Sequence, residues 1–228
     1  MSEVAEKELK APAEPLLSKK NKRLLTDPLD DDNPITVQVL GICSALAITV
    51  QLQQAIIMSV SVLFVMVAGN IIISLLRDSI PSRIRIIVQL VVVASLVILV
   101  DQTLKAYVYD ISKALSVFVG LIITNCIIMG RFEAFAMGNK PWPSFLDAIG
   151  NAAGYAAILI IVSVVREIFG SGAISFPGVG QIKFLPEAVF EAGYMNNNLM
   201  ILPPMALITV GIIIWVQRAR NTKLIEEN

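Results

Sequence analysis

The chain has 228 residues, of which 56% are hydrophobic and 16% charged, and its mean hydropathy is +0.74. This composition excludes an ordinary soluble domain and indicates a helical protein that crosses a membrane several times. The 18 Lys and Arg residues balance the 18 Asp and Glu residues, so charge gives no indication of nucleic acid as a partner. The sequence has no histidine, which excludes His-ligated haem, the usual His-containing zinc and copper sites and imidazole acid–base catalysis.

Residues 1–33 form a polar N-terminal segment with six Lys or Arg residues, eight Asp or Glu residues and three prolines. Such a segment buries too little apolar surface to offset the entropy lost on ordering. We therefore predict a mostly disordered cytoplasmic tail, with a membrane domain over residues 34–228. The alternative is an arm that docks on a partner.

Six hydrophobic runs follow the tail, at residues 35–52, 55–76, 84–100, 114–130, 148–165 and 199–216. A hydrocarbon core of ~30 Å needs about 20 helical residues to cross it. The runs are continuously apolar and lack the two-residue alternation of a membrane β-barrel. The sequence therefore predicts an all-α integral membrane protein with six transmembrane helices, of which the first and fourth are short.

The distribution of positive charge predicts the orientation. With the N-terminus inside, 14 of the 18 Lys and Arg residues fall in segments on the cytoplasmic side. Because Lys and Arg are enriched in cytoplasmic loops, we predict that both termini are cytoplasmic.

The two halves of the chain have a similar order of hydrophobic runs. Setting Cys43 over Cys126, an offset of 83 residues, gives two units of three spans, at about 34–101 and about 113–217, each with its cysteine in the first span. Three spans per unit place the second unit in the membrane in the opposite direction, which predicts an inverted repeat. In such repeats the first helices meet near the midplane, often as short or interrupted helices, and small or polar residues beside both cysteines permit this.

Cys43 and Cys126 are the only cysteines, and both lie in apolar runs. A lone membrane cysteine is usually buried and serves packing, and one disulfide is also possible. Soft thiolates equally suit iron–sulfur chemistry, but a [2Fe–2S] cluster takes four thiolates, so another chain would have to supply two. The predicted spans contain no central carboxylate, so the sequence does not indicate ion passage through this chain alone.

Four stretches carry a resemblance to a known family: residues 32–47, 100–113, 117–137 (with Ile-Thr-Asn-Cys-Ile-Ile-Met-Gly-Arg-Phe-Glu at 123–133) and 166–172. They closely resemble the family of D subunits of the bacterial Na⁺-translocating NADH:quinone oxidoreductases, and the match runs from about residue 32 to the C-terminus. The extended tail departs from that family.

The resemblance implies an integral component of a six-subunit respiratory complex in the bacterial inner membrane, surrounded by lipid and without independent catalysis. Its homologous partner, the E subunit of that complex, and this chain would share an intramembrane [2Fe–2S] cluster, with Cys43 and Cys126 as this chain's ligands. The cluster would relay electrons from the cytoplasmic NADH-oxidising subunit to a covalent FMN and so contribute to redox-driven Na⁺ translocation and ubiquinone reduction.

The resemblance does not extend to a flavin on this chain. The family's covalent FMN motif is Ser/Asp-Gly-Ala-Thr, and residues 171–174, Ser-Gly-Ala-Ile, lack the threonine. Two other functions stay open. One is the equivalent component of the related Rnf ferredoxin:NAD⁺ complex, and the other is an inverted-repeat ion or solute carrier whose cysteines are structural.

Overall fold

The computed structural model describes residues 19–29, 31–77, 79–81, 83–107, 120–176, 180–183 and 198–220. In chain order the helices are α1 (Lys19–Thr26), α2 (Ile42–Ile48), α3 (Leu52–Leu76), α4 (Arg85–Tyr107), α5 (Cys126–Arg131), α6 (Pro141–Ser171) and α7 (Pro203–Arg220). Single 3₁₀ turns cover Asp27–Leu29 and Asn198–Ile201, and a π-helical segment, Phe132–Ala136, continues α5. An antiparallel hairpin of β1 (Ala173–Phe176) and β2 (Gly180–Lys183) follows α6, with Ile174 opposite Ile182.

Among the described residues, three helices are long and apolar enough to cross a membrane. They are α3 with 25 residues, α4 with 23 and α6 with 31, and they coincide with the predicted spans at 55–76, 84–100 and 148–165. At 1.5 Å per residue α6 is about 46 Å long, so its ends extend beyond a hydrocarbon core of ~30 Å.

The other three predicted runs form shorter elements. The run at 35–52 becomes turns and the seven-residue α2. The run at 114–130 becomes helical residues 120–123, a break and α5, while 114–119 lie outside the described residues. The run at 199–216 becomes the 18-residue α7. The helical class is thus confirmed apart from one hairpin, whereas the six spans and the inverted repeat stay predictions.

The two ends of α6 have local causes. Pro141 occupies the first turn, where its missing N–H is not needed. Gly172 ends the helix in the left-handed region at φ 69°, and its N–H donates to the Ile168 carbonyl over 3.1 Å. A left-handed residue after the last turn satisfies otherwise unpaired carbonyl groups.

Helices α3 and α6 pack along most of their lengths and form the centre of the fold. Asn70 Nδ2 on α3 donates to the Ser144 carbonyl on α6 over 3.0 Å. The lack of a side chain at Gly69 admits the Phe132 ring, which a β-carbon there would overlap. The shared core includes fully buried apolar side chains: Ala55, Val62, Val65, Met66 and Ile73 of α3 with Ala148, Ala152, Leu159 and Val162 of α6.

Helix α4 lies at the edge of the fold and packs mainly on α3. Its outer face is apolar and exposed, with Ile86, Ile87, Val91, Ile98 and Leu99 each more than half accessible. An apolar face of this size contacts lipid or another protein rather than water. This part of the chain is therefore built for a membrane environment.

Part of the N-terminal segment forms a helix and a turn. Helix α1 and the turn after it pack against α6 at Gly150 and Gly154. A β-carbon at Gly150 would overlap the Leu24 carbonyl, and one at Gly154 would overlap the Pro28 carbonyl. Small residues on α6 thus let the backbone of this segment dock. The predicted disordered tail of residues 1–33 stays a prediction, and residues 1–18 and 30 of it lie outside the described residues.

Arg166 fixes the end of α2. Its fully buried guanidinium donates from Nη1 to Thr49 Oγ1 over 2.6 Å and from Nη2 to the Ile201 carbonyl over 2.7 Å. It also donates from Nη1 to the Leu46 carbonyl. The unpaired carbonyl groups at the C-terminal end of α2 and the turn before α7 are thus bound by one cation.

Glu167 fixes the start of α3. Its Oε2 accepts from the Leu52 N–H and its Oε1 from the Ser175 N–H, both over 2.9 Å. A carboxylate at a helix N-terminus satisfies an unpaired donor and interacts favourably with the helix dipole. The same side chain therefore joins α3, α6 and β1.

Candidate metal-ligand site

Cys43 lies in the first turn of α2, directly after a left-handed bend. Gly41, the residue before that helix, has φ 77°, and Val39 has φ 58°. Positive φ is strained for a branched residue and easy for glycine. The bend turns the chain abruptly into α2 and leaves the Cys43 thiol free and exposed.

Cys126 is the first residue of α5. The preceding helical residues, 120–123, end at Thr124 and Asn125, which is extended at φ −69°, ψ 118°. Asn125 Oδ1 then accepts from the Ile127 N–H over 3.2 Å, a typical N-cap bond. The break lies directly before Cys126, whose thiol is also free and exposed.

The two helix starts lie against each other. A β-carbon at Gly41 would be 2.6 Å from Ile127 Cδ1, and one at Gly130 would be 3.2 Å from Leu40 Cδ1. Residues directly before Cys43 therefore contact residues directly after Cys126. This contact brings the two cysteine segments together, and the inverted repeat stays a prediction.

Both thiols differ from the buried packing cysteines that their apolar setting suggests. Neither forms a disulfide, and both are exposed in the isolated chain. Within the part of the chain that the structure describes, no three His, Cys, Asp or Glu side chains cluster as a metal site. Two accessible cysteine side chains fit half of a four-cysteine site, so the donor set is compatible with a cluster shared with another chain.

Tyr155 on α6 is a site residue that the sequence does not single out. It is fully buried, and its hydroxyl donates to Ser44 Oγ over 2.7 Å. Ser44 in turn donates to the Gly41 carbonyl over 2.7 Å. A tyrosine in an apolar run looks like packing, and its partner is 111 residues away, so the pattern carries no signal for this contact.

Comparison with known proteins identifies the family. The family model described as "Rnf-Nqr subunit, membrane protein" matches residues 21–214. The chain belongs to the Rnf-Nqr family. It is 54% identical over 205 residues to the D subunit of the Na(+)-translocating NADH-quinone reductase of Aeromonas hydrophila, an alignment that covers 90% of this chain and 95% of the relative.

Two further relatives carry the same name. The protein of Haemophilus ducreyi is 52% identical over 206 residues, or 90% of this chain and 97% of the relative. That of Pasteurella multocida is 51% identical over 211 residues, or 92% and 99%. The resemblance seen in the four stretches above is confirmed, and the matched region includes most of α1.

A second feature that the sequence did not predict is an ion pair between Arg131, five residues after Cys126, and Asp147. Arg131 donates from Nε to Asp147 Oδ2 over 3.0 Å and from Nη2 to Asp147 Oδ1, and Asn151 Nδ2 donates to that same oxygen over 3.1 Å. The predicted span began at 148, which left Asp147 outside it. The structure instead places Asp147 inside α6 and buried, where the bidentate Arg131 compensates its charge.

Glu133 has a different environment. It is half exposed and pairs with Arg85 on α4, and its Oε2 accepts from Gln89 Nε2 over 3.1 Å. This contact joins the π-helical segment after α5 to α4. Glu133 is thus bound to neighbouring side chains rather than directed at either cysteine.

Proposed function

We propose that this chain is the D subunit of a Na⁺-translocating NADH-quinone reductase and acts as a membrane component of that oxidoreductase complex. The three relatives described above share that name at 51–54% identity and align over at least 95% of their own length. The long apolar helices α3, α4 and α6 suit an integral membrane protein. The chain has no catalysis of its own in this proposal.

In this proposal Cys43 and Cys126 are two of the four ligands of an intramembrane [2Fe–2S] cluster, and the homologous E subunit supplies the other two. The observation that carries it is the position of both free thiols, exposed at the starts of α2 and α5, where the residues before α2 contact α5. Cysteine thiolates are soft ligands that suit iron. A site with half of its ligands on one chain needs an exposed face, and both thiols have one.

The cluster, when bound, supplies a one-electron carrier between the cytoplasmic NADH-oxidising subunit and a covalent FMN on the other side. The residues of this chain hold and orient its ligands. Ile127 and Ile128 are fully buried beside Cys126, and Ser44 is buried beside Cys43. Each thiol is thus exposed on a backbone that packing holds in place, as a ligand requires.

The chain lies in the bacterial inner membrane in this proposal, with both termini in the cytoplasm. The support is the concentration of Lys and Arg on one side of the predicted spans. A green fluorescent protein fused to the C-terminus should fluoresce, whereas fused alkaline phosphatase should be inactive. The reverse result would place the C-terminus in the periplasm.

Membership of an Rnf complex is the second candidate, because the family description covers both complexes. The names of the relatives favour the sodium-translocating reductase. Affinity purification of the chain from native membranes distinguishes the two. An NADH-oxidising partner with covalent FMN subunits supports the reductase, whereas a ferredoxin-oxidising assembly supports the Rnf complex.

The cluster is tested in the purified complex with Cys43→Ala and Cys126→Ala. Each variant should lose about two iron atoms per complex and one [2Fe–2S] EPR signal, because a cluster held by three thiolates is unstable. Ser95→Ala on the exposed face of α4 is the control and should keep both. Unchanged iron in either cysteine variant would refute the assignment and favour a carrier with structural cysteines.

A further inference from the structure

The Tyr155 hydroxyl lies between the two cysteine-bearing helix starts. It belongs to α6, which is a continuous helix of 31 residues. It contacts Ser44, the neighbour of Cys43, through the 2.7 Å hydrogen bond, and its ring lies 3.4 Å from where a Gly41 β-carbon would be. The Tyr155 side chain therefore contacts both the first turn of α2 and the bend before it.

The same hydroxyl lies beside Asn125, the neighbour of Cys126. Asn125 is 4% exposed, and its Nδ2 has no hydrogen-bond partner among the described residues. A phenol oxygen that has donated its proton to Ser44 can still accept. A small adjustment of the amide lets Nδ2 donate to Tyr155, which satisfies a donor that is costly to leave unpaired.

The bonds then form a chain with one direction. Two of its bonds are present in the structure: Tyr155 donates to Ser44, and Ser44 donates to the Gly41 carbonyl, both over 2.7 Å. The adjusted Asn125 Nδ2, donating to Tyr155, is the third. Its two ends are the residues that precede α5 and α2, the N-cap positions of the two short helices. Hydrogen-bond chains of this kind fix orientation because each bond polarises the next.

We propose that Tyr155 is a positioning residue. Through these hydrogen bonds it holds the starts of α2 and α5, and so Cys43 and Cys126, in one relative arrangement. The expected consequence, that this arrangement sets the affinity and reduction potential of the bound cluster, rests on the proposed function. Partners that orient metal ligands tune affinity and reduction potential. The link between the helix starts does not itself depend on iron.

The test uses the purified complex with Tyr155→Phe and, as a second route to the same break, Ser44→Ala. Removing one hydrogen bond should speed amide hydrogen exchange in both segments, residues 41–48 and 125–131, by about fivefold. The midpoint potential of the [2Fe–2S] signal should shift while iron content stays at the wild-type level. The matched control is Ser163→Ala. Ser163 is a buried serine on the same helix, and its hydroxyl has no hydrogen-bond partner among the described residues.

The outcomes separate the two proposals. If both variants exchange as the wild type does, or exchange faster in one segment only, Tyr155 does not join the helix starts and the inference is overturned. Faster exchange in both segments with an unchanged potential would overturn the positioning role. If instead the cysteine variants keep their iron, the proposed function fails, and exchange in the two segments still decides whether Tyr155 links them.

Discussion

Gly41 and Ile127 contact each other so closely that a β-carbon on Gly41 would lie 2.6 Å from Ile127 Cδ1. Gly41 precedes the helix with Cys43, and Ile127 follows Cys126 directly. Cysteines 83 residues apart in sequence are thus on segments in van der Waals contact. This contact places the two thiols in the same region of the fold.

Gly41→Ala should destabilise the protein by about 1–3 kcal/mol, because it combines positive φ with overpacking. The change also pushes the two cysteine segments apart, so the iron content of the complex should fall. Thermal unfolding in detergent and an iron assay measure the two effects. Gly211→Ala on α7 is the control, since its β-carbon meets no atom within 4 Å in the part of the chain that the structure describes. Equal stability and iron content for the two variants would show that the Gly41 contact is unimportant.

Gly154→Ala should release the N-terminal segment from α6. Its new methyl group would overlap the Pro28 carbonyl, and backbone cannot rotate away as a side chain does. Limited trypsin digestion should then cleave after Arg23 faster than in the wild type. Gly211→Ala again serves as control, and an unchanged cleavage rate in Gly154→Ala would mean that the segment does not dock there.

Asp147→Asn should cost about 3–5 kcal/mol, because it leaves Arg131 partly buried without its counter-charge. Glu133→Gln breaks the more exposed pair with Arg85 and should cost no more than about 1 kcal/mol. Measuring the free energy of unfolding of both variants in the same detergent tests whether the loss is larger for Asp147→Asn. Similar losses for the two variants would contradict the burial of the Arg131–Asp147 pair.

Glu167→Gln should loosen both the start of α3 and the hairpin. An amide keeps one acceptor oxygen where the carboxylate has two, so one of the Leu52 and Ser175 N–H groups loses its partner. The expected loss is about 1.5–3 kcal/mol, the range for hydrogen bonds to charged groups. Hydrogen exchange should rise at one of the two amides. Protection of both at the wild-type level would show that Glu167 is not their main acceptor.

The main helices were predictable because a membrane imposes a simple requirement. A run of about 20 apolar residues is what lipid demands of a spanning helix, and α3, α4 and α6 meet it. The breaks in the helical path before Cys43 and Cys126 were also partly predictable. Gly41 tolerates a bend, and Thr124 and Asn125 can satisfy unpaired backbone groups. A β-carbon at Gly120, six residues before Cys126, would meet none of the described residues within 4 Å.

The contacts that connect distant segments were not predictable. The polar composition of residues 19–33 resembles a disordered tail, and only the spacing of Gly150 and Gly154 hints at a docked backbone. Asp147 fell one residue outside a hydropathy boundary. Tyr155 has no local pattern at all, because its role depends on Ser44 and Asn125, which the fold brings to it.

The most direct measurement is the iron content and EPR spectrum of this chain co-purified with its homologous partner. We expect about two iron atoms per pair and a [2Fe–2S] signal on reduction, both lost in Cys43→Ala and in Cys126→Ala. A colourless, iron-free pair that still assembles, or a pair that keeps its signal without either cysteine, would contradict it.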